Sequence, residues 1–149
     1  MPRGEGLIIQ HGEWTQKVSW HFFGEKTRSV FDVWSAEHVL SGVSCGQMLR
    51  KLPAKQALLC LGLIAFAWES VEHYLEEGLA GRAVEYWFHG VEFWANRLIA
   101  DPLMMLVGYW VARKWPALAW PARAGSLVWL ALNIFVFPHS MYVQDWLGR

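Results

Sequence analysis

Two carboxylates and an imidazole stand close together in the stretch Glu69-Ser70-Val71-Glu72-His73. Glu69 is three residues from Glu72 and four from His73, so on a helix all three share one face. His89, Glu92 and Asn96 share a second face, and His38 shares a third with Gly42. Carboxylates from different helices with an adjacent His form the ligand set of di-iron bundles, where Glu-x-x-His motifs project inward. Glu69-x-x-Glu72-His73 comes close to that motif without reproducing it, and the chain has no HExxH. As a metal centre, the set would be His38, Glu69, His73 and Glu92 around a divalent cation. Glu69, Glu72 and Asp101 are the candidate catalytic carboxyls, with Glu69 or Glu72 as base and His38 or His73 as metal ligand or proton shuttle. His38, Asn96, Arg97 and Asn133 are candidates for a polar network.

These residues interrupt stretches that are otherwise apolar. Asp32, Glu37, Glu69, Glu72, Glu92 and Asp101 lie in such stretches against Arg97 as the single fixed cation. That excess cannot stay ionised in a low-dielectric interior without protons, cationic partners, water or a metal ion. Asp32, nearest an end, is expected to be wet. Three readings of the cluster stay open: a satisfied network that fixes helix packing, which is favoured, a path for protons or polar headgroups, and a metal site.

The elements that must position these groups are helices long enough to cross a bilayer, which takes about 20 residues. Four stretches supply that length: 30–49, 56–75, 87–112 and 117–137. The second and fourth are almost unbroken, as in ALLCLGLIAFAW and SLVWLALNIFVF. Arg50, Lys51 and Lys55 lie between the first two, Arg113 and Lys114 between the last two, and Arg123 follows near the start of the fourth. Glu76, Glu77 and Glu85 face Arg82 alone between the second and third. By the positive-inside rule the two basic loops are cytoplasmic and both termini periplasmic, in a bacterial inner membrane. All four stretches then bring their polar groups to the outer half of the bilayer. Pro102 inside the third stretch predicts a kink or break near Ala100. An ideal helix keeps Asp101 off the Glu92 face, and a kink would restore it. Gly42 and Gly46 form a GxxxG that permits close helix approach.

Composition agrees. Of 149 residues, 54% are hydrophobic and 17% charged, with 13 basic and 13 acidic side chains. Disorder and a basic nucleic-acid surface are thereby excluded, so no nucleic acid is expected as a partner. Eleven tryptophans suit membrane interfaces and protein contacts. The first 28 residues hold no apolar signal region, so the helices themselves would direct insertion. Cys45 and Cys60 read as buried thiols, and His11, His21 and His139 as surface or interfacial side chains. The expected architecture is an all-α, four-helix transmembrane bundle over 29–138. It has short loops, an outer-surface segment over 1–28 and a short tail over 139–149.

The order Trp34-x3-His38-x3-Gly42, Trp68-Glu69-x2-Glu72, Asn96-x4-Asp101 and Gly108-Tyr109-x2-Ala112-Arg113-x2-Pro116 resembles a family of uncharacterised bacterial inner-membrane proteins. It is also distantly similar to VanZ-like proteins. The resemblance covers about Trp34 to Pro116. It departs from the family at Ser41, His73, Arg97 and Pro102, and it has no counterpart to the family's further N-terminal span. It implies a membrane bundle and points to His38, Glu69, Glu72, Asn96 and Asp101 as the functional cluster. The expected role is an accessory or structural subunit, with the lipid bilayer and other membrane subunits as partners. The alternatives are a metal-dependent enzyme acting on a lipid headgroup or small amphiphile, and a proton or polar-solute path.

Overall fold

The computed structural model of the protein describes residues 21–24, 26–88 and 90–132. His89, Asn133 and both terminal segments lie outside the described residues. The first described elements are two short strands, β1 (His21–Phe23) and β2 (Ser29–Phe31), paired in parallel with Phe23 opposite Phe31. The described residues are otherwise mostly helical, in keeping with the all-α expectation, and the small sheet moves the start of the first apolar helix.

That helix, α1 (Ser35–Met48), starts five residues later than the hydropathy of Val30 and Phe31 suggests. The reason is local. Asp32 Oδ1 accepts hydrogen bonds from the backbone N–H groups of Trp34 and Ser35 at 2.7 and 3.1 Å. Ser35 Oγ in turn accepts from the Asp32 N–H at 3.1 Å. This reciprocal arrangement satisfies donors that a helix start leaves free. Asp32 is therefore a buried capping residue and not a wet one.

Helix α2 (Ala54–Glu76) follows Pro53 and runs for 23 residues. It stops where Gly78 adopts φ +72°, with Gly78 N–H donating to the Leu75 carbonyl and Leu79 N–H to that of Tyr74. That double bond closes the last turn in a left-handed cap. A short helix, α3 (Arg82–Phe88), precedes Gly90, whose φ of +106° breaks the path. The third apolar helix accordingly begins at Trp94 rather than at Trp87. It continues through a π-helical turn (Asn96–Ala100) into α4 (Asp101–Lys114). In place of a break at Ala100, the wider turn sits immediately before Pro102, whose missing N–H and ring an ordinary turn would tolerate poorly. A 3₁₀ turn (Pro116–Leu118) leads into α5 (Ala119–Ala131).

Helix α5 packs on α1, α1 on α4, and α4 on α2. The α1–α4 seam is the tightest. A Cβ on Gly42 would fall 2.1 Å from the Met105 carbonyl oxygen, and one on Gly108 would fall 2.1 Å from that of Val39. Gly46 lies against Tyr109 and Ala112. The two helices run parallel. Contacts of Ala57, Leu61 and Ala65 with Met105 and Tyr109 make α2 antiparallel to α4. Arg123 donates to Ser44 Oγ at 2.9 Å and Ser126 hydrogen-bonds Glu37, which makes α5 antiparallel to α1. Arg50, Lys51, Lys55, Arg113, Lys114 and Arg123 consequently gather at one end of the bundle. His38, Glu69, His73, Glu76 and Asp101 lie toward the other.

Among the described residues, α2 is the one helix long and apolar enough to cross a membrane. α1, at 14 residues, is short of a full span.

Candidate functional site

The cluster at the acidic end has two parts. The larger one centres on Glu76, which the hydropathy pattern assigns to the outer loop and the structure places on the last turn of α2. Glu76 Oε1 accepts from Lys26 Nζ at 2.5 Å. Its Oε2 accepts from the Arg97 guanidinium and from the Glu92 backbone N–H, the latter at 3.0 Å. One carboxylate thus joins the β1–β2 connection, α2 and the approach to the π turn. Arg97 also contacts His73 Nδ1 at 2.8 Å and approaches Glu92 at 3.6 Å. Asn96 Nδ2 donates to Glu92 Oε1 at 3.1 Å. Lys26, Glu76, Asn96 and Arg97 are each 2% exposed or less, so these pairs are strengthened by low dielectric and lose heavily if one member is removed.

Lys26 corrects the expectation that the segment before the first helix lies wholly on the outer surface. Its side chain is fully buried, 5.5 Å from the Phe88 ring centroid, and its carbonyl accepts from Phe93 N–H at 2.8 Å.

The smaller part comprises His38 of α1, Glu69 of α2 and Asp101 of α4. His38 Nε2 lies 3.3 Å from Asp101 Oδ2, and Nδ1 lies 3.8 Å from Glu69 Oε1. The α1–α4 seam explains the meeting: His38 is one turn ahead of Gly42, and Asp101 is one turn ahead of Met105. Glu69 follows one turn after Ala65 on the buried stripe of α2. Among the described residues, neither oxygen of Glu69 or of Asp101 accepts a hydrogen bond. The three residues each offer a ligand atom within 4.8 Å of the others.

The expected metal set is therefore redistributed. His38 and Glu69 come together, but with Asp101. His73 and Glu92 are drawn to the Arg97 side, because the guanidinium offers them a fixed cation. The π turn accounts for the change, since it brings Asn96, Arg97, Ala100 and Asp101 all inward. Glu72 is buried within electrostatic reach of Glu76, Lys26 and Arg97, so it belongs with the larger part rather than pairing with Glu69 alone. The expected network members Asn96 and Arg97 are in the larger part and His38 in the smaller, while Asn133 lies outside the described residues.

Lys26 and Glu76 are the members that sequence reasoning missed. Glu76 had a signal, since it is four residues from Glu72 and seven from Glu69 and so falls on the same face. Lys26 had none, as its partner is 50 residues away.

Counted together, Asp32, Glu69, Glu72, Glu76, Glu92 and Asp101 are six buried carboxyls against Lys26 and Arg97. Both cations pair with Glu76, and Arg97 also stands 3.6 Å from Glu92. The arrangement can clamp helix ends, hold shared protons or accept a further cation. None of the protein families, curated proteins or solved structures compared with the chain matches it.

Proposed function

We propose that the chain is an integral membrane protein, its α1, α2, α4 and α5 standing in the bilayer, that serves as an accessory or structural subunit of a larger membrane assembly. One observation carries the reading: α2 is long enough to cross, yet only 22% of its apolar window is buried. Leu59, Leu63, Phe66, Trp68 and Val71 are each at least half exposed. Soluble monomers rarely expose a continuous apolar surface of that size, whereas acyl chains cover it without cost. At about 1.5 Å per residue, α2 spans ~34 Å, enough for the hydrocarbon core.

The charge distribution supports an orientation. The six basic residues at one end would face the cytoplasm, and Lys114 over Trp115 at 4.5 Å and Arg123 over Trp120 at 5.2 Å suit a headgroup region. The Glu76 cluster would then sit toward the outer face, tying the β1–β2 connection to two helices. The resemblance to inner-membrane proteins over 34–116 points the same way. A subunit role fits because the ion pairs of Glu76 join elements to one another, leaving α2 and α4 with apolar outer faces.

Alkaline carbonate extraction of cells expressing the chain tests insertion. The protein is expected in the membrane pellet, and release into the supernatant overturns the reading. Leu63→Arg sharpens the test, because a charge near the middle of a span costs about 2.5–3.5 kcal/mol of insertion, while the same change on a water-facing surface is nearly neutral. Reporter fusions at position 80 should be periplasmic and those after Lys51 or Lys114 cytoplasmic. A monodisperse, partner-free species in mild detergent would count against the subunit role.

A further inference from the structure

We infer that His38, Glu69 and Asp101 form a binding site for one divalent transition-metal ion, of the Mn²⁺, Fe²⁺ or Zn²⁺ class, separate from the Glu76 clamp. Three observations converge on it. The ligands come from three different helices, α1, α2 and α4, and place an imidazole nitrogen and two carboxylates within 4.8 Å of one another. Asp101 is fully buried and Glu69 is 4% exposed, and none of their four oxygens accepts a hydrogen bond among the described residues, the His38 nitrogens standing 3.3 and 3.8 Å away. Such groups are ordinarily satisfied in a protein interior, and each exception calls for a partner. The neighbouring fixed cations, Lys26 and Arg97, both pair with Glu76, and Arg97 also with Glu92.

The geometry is near that of a bound ion. Donors held at about 2.0–2.2 Å from one metal sit roughly 3.0–3.5 Å apart. The His38 Nε2–Asp101 Oδ2 separation of 3.3 Å already falls there. Glu69 Oε1 stands 3.8 Å from the other ring nitrogen, Nδ1, so binding one ion requires the Glu69 side chain to rotate toward Nε2 and Asp101. The glycine seam fixes the distance that a side chain could not, because it locks α1 and α4 in register one turn away. One nitrogen and two carboxylates suit a borderline ion over the all-oxygen cages of Ca²⁺ or the soft thiolate sites of Cu⁺. Three protein ligands leave at least one coordination position for water or a small ligand, the arrangement of reactive rather than purely structural ions. His38 and Glu69 side chains keep 10% and 6% exposure, so the site is not sealed.

The test uses the full chain, purified, stripped with EDTA and dialysed against Mn²⁺ or Zn²⁺, with Mg²⁺ as a parallel arm. Wild-type protein is expected to retain about one equivalent of Mn²⁺ or Zn²⁺ by elemental analysis after desalting. Co²⁺ should give visible absorption from the substituted site. Asp101→Asn and His38→Gln, both near in shape to the native residues, should lower retention at least tenfold while circular dichroism stays unchanged. Glu76→Gln should weaken the fold yet keep the ion, which separates this site from the clamp and from the membrane reading. A wild-type chain that retains none of these ions overturns the proposal, as does an ion held undiminished by folded Asp101→Asn and His38→Gln. Should both variants fail to fold, the wild-type equivalents and the Co²⁺ spectrum decide the matter.

Discussion

The buried stripe of α2 changes character halfway along. Ala57, Leu61 and Ala65 meet Met105 and Tyr109 through small and apolar surfaces, and one turn further on Glu69, Glu72, His73 and Glu76 continue the same face. The apolar half is held by shape. Its neighbouring seam brings the α1 and α4 backbones into contact, and nothing there requires a partner of particular charge. The ionic half is held by complementarity, with Glu76 taking three donors from outside its own helix. The difference lies in how each fails. A shape-held interface loses in proportion to the volume changed, while a buried ion pair loses most when a single member is removed.

Removing Glu76 tests that asymmetry most severely. Glu76→Ala leaves Lys26 and Arg97 buried without their shared carboxylate, and a loss of about 3–5 kcal/mol is expected. Denaturant or thermal unfolding followed by circular dichroism would show it; a loss below about 1 kcal/mol would place the clamp at an exposed, screened surface. Gly108→Ala probes the apolar seam. Its new methyl would press on the Val39 backbone, which cannot yield as a side chain can, and about 1–3 kcal/mol should be lost. Gly62→Ala is the counterpart with the opposite sign. Nothing lies within 4 Å of a Cβ there, so reduced backbone freedom in the unfolded chain should stabilise the helix by about 0.4–1 kcal/mol. Equal responses from the two glycines would erase the distinction between seam and surface.

The sequence discloses the seam better than the clamp. Gly42 and Gly46 advertise close approach through their spacing, and Gly108 answers them from the other helix. The shared face of Glu69, Glu72 and His73 follows from helical periodicity, and the structure buries all three. Periodicity fails where the helix stops being α: the π turn at Asn96–Ala100 brings Asp101 inward in a way that a regular repeat excludes. Hydropathy fails at the ends of α2 and α1. It closes α2 at Leu75, one residue short of the carboxylate that organises the cluster, and it extends the first helix over Val30 and Phe31, which pair as a strand. Lys26 is beyond both signals, since only the folded chain reveals what stands across from it.

The reach of Glu76 to both Lys26 and Arg97 also bears on the order in which the protein can be made. Lys26 leaves the ribosome first, its acceptor 50 residues later, and the second donor 21 residues after that. Lys26 alone arrives before its partner, and the full clamp can close only once Arg97 has emerged. α2, whose apolar half needs no such partner, can form at once. Its packing partners Met105 and Tyr109 emerge after Arg97, so the charged clamp has all its members before the apolar half has its own.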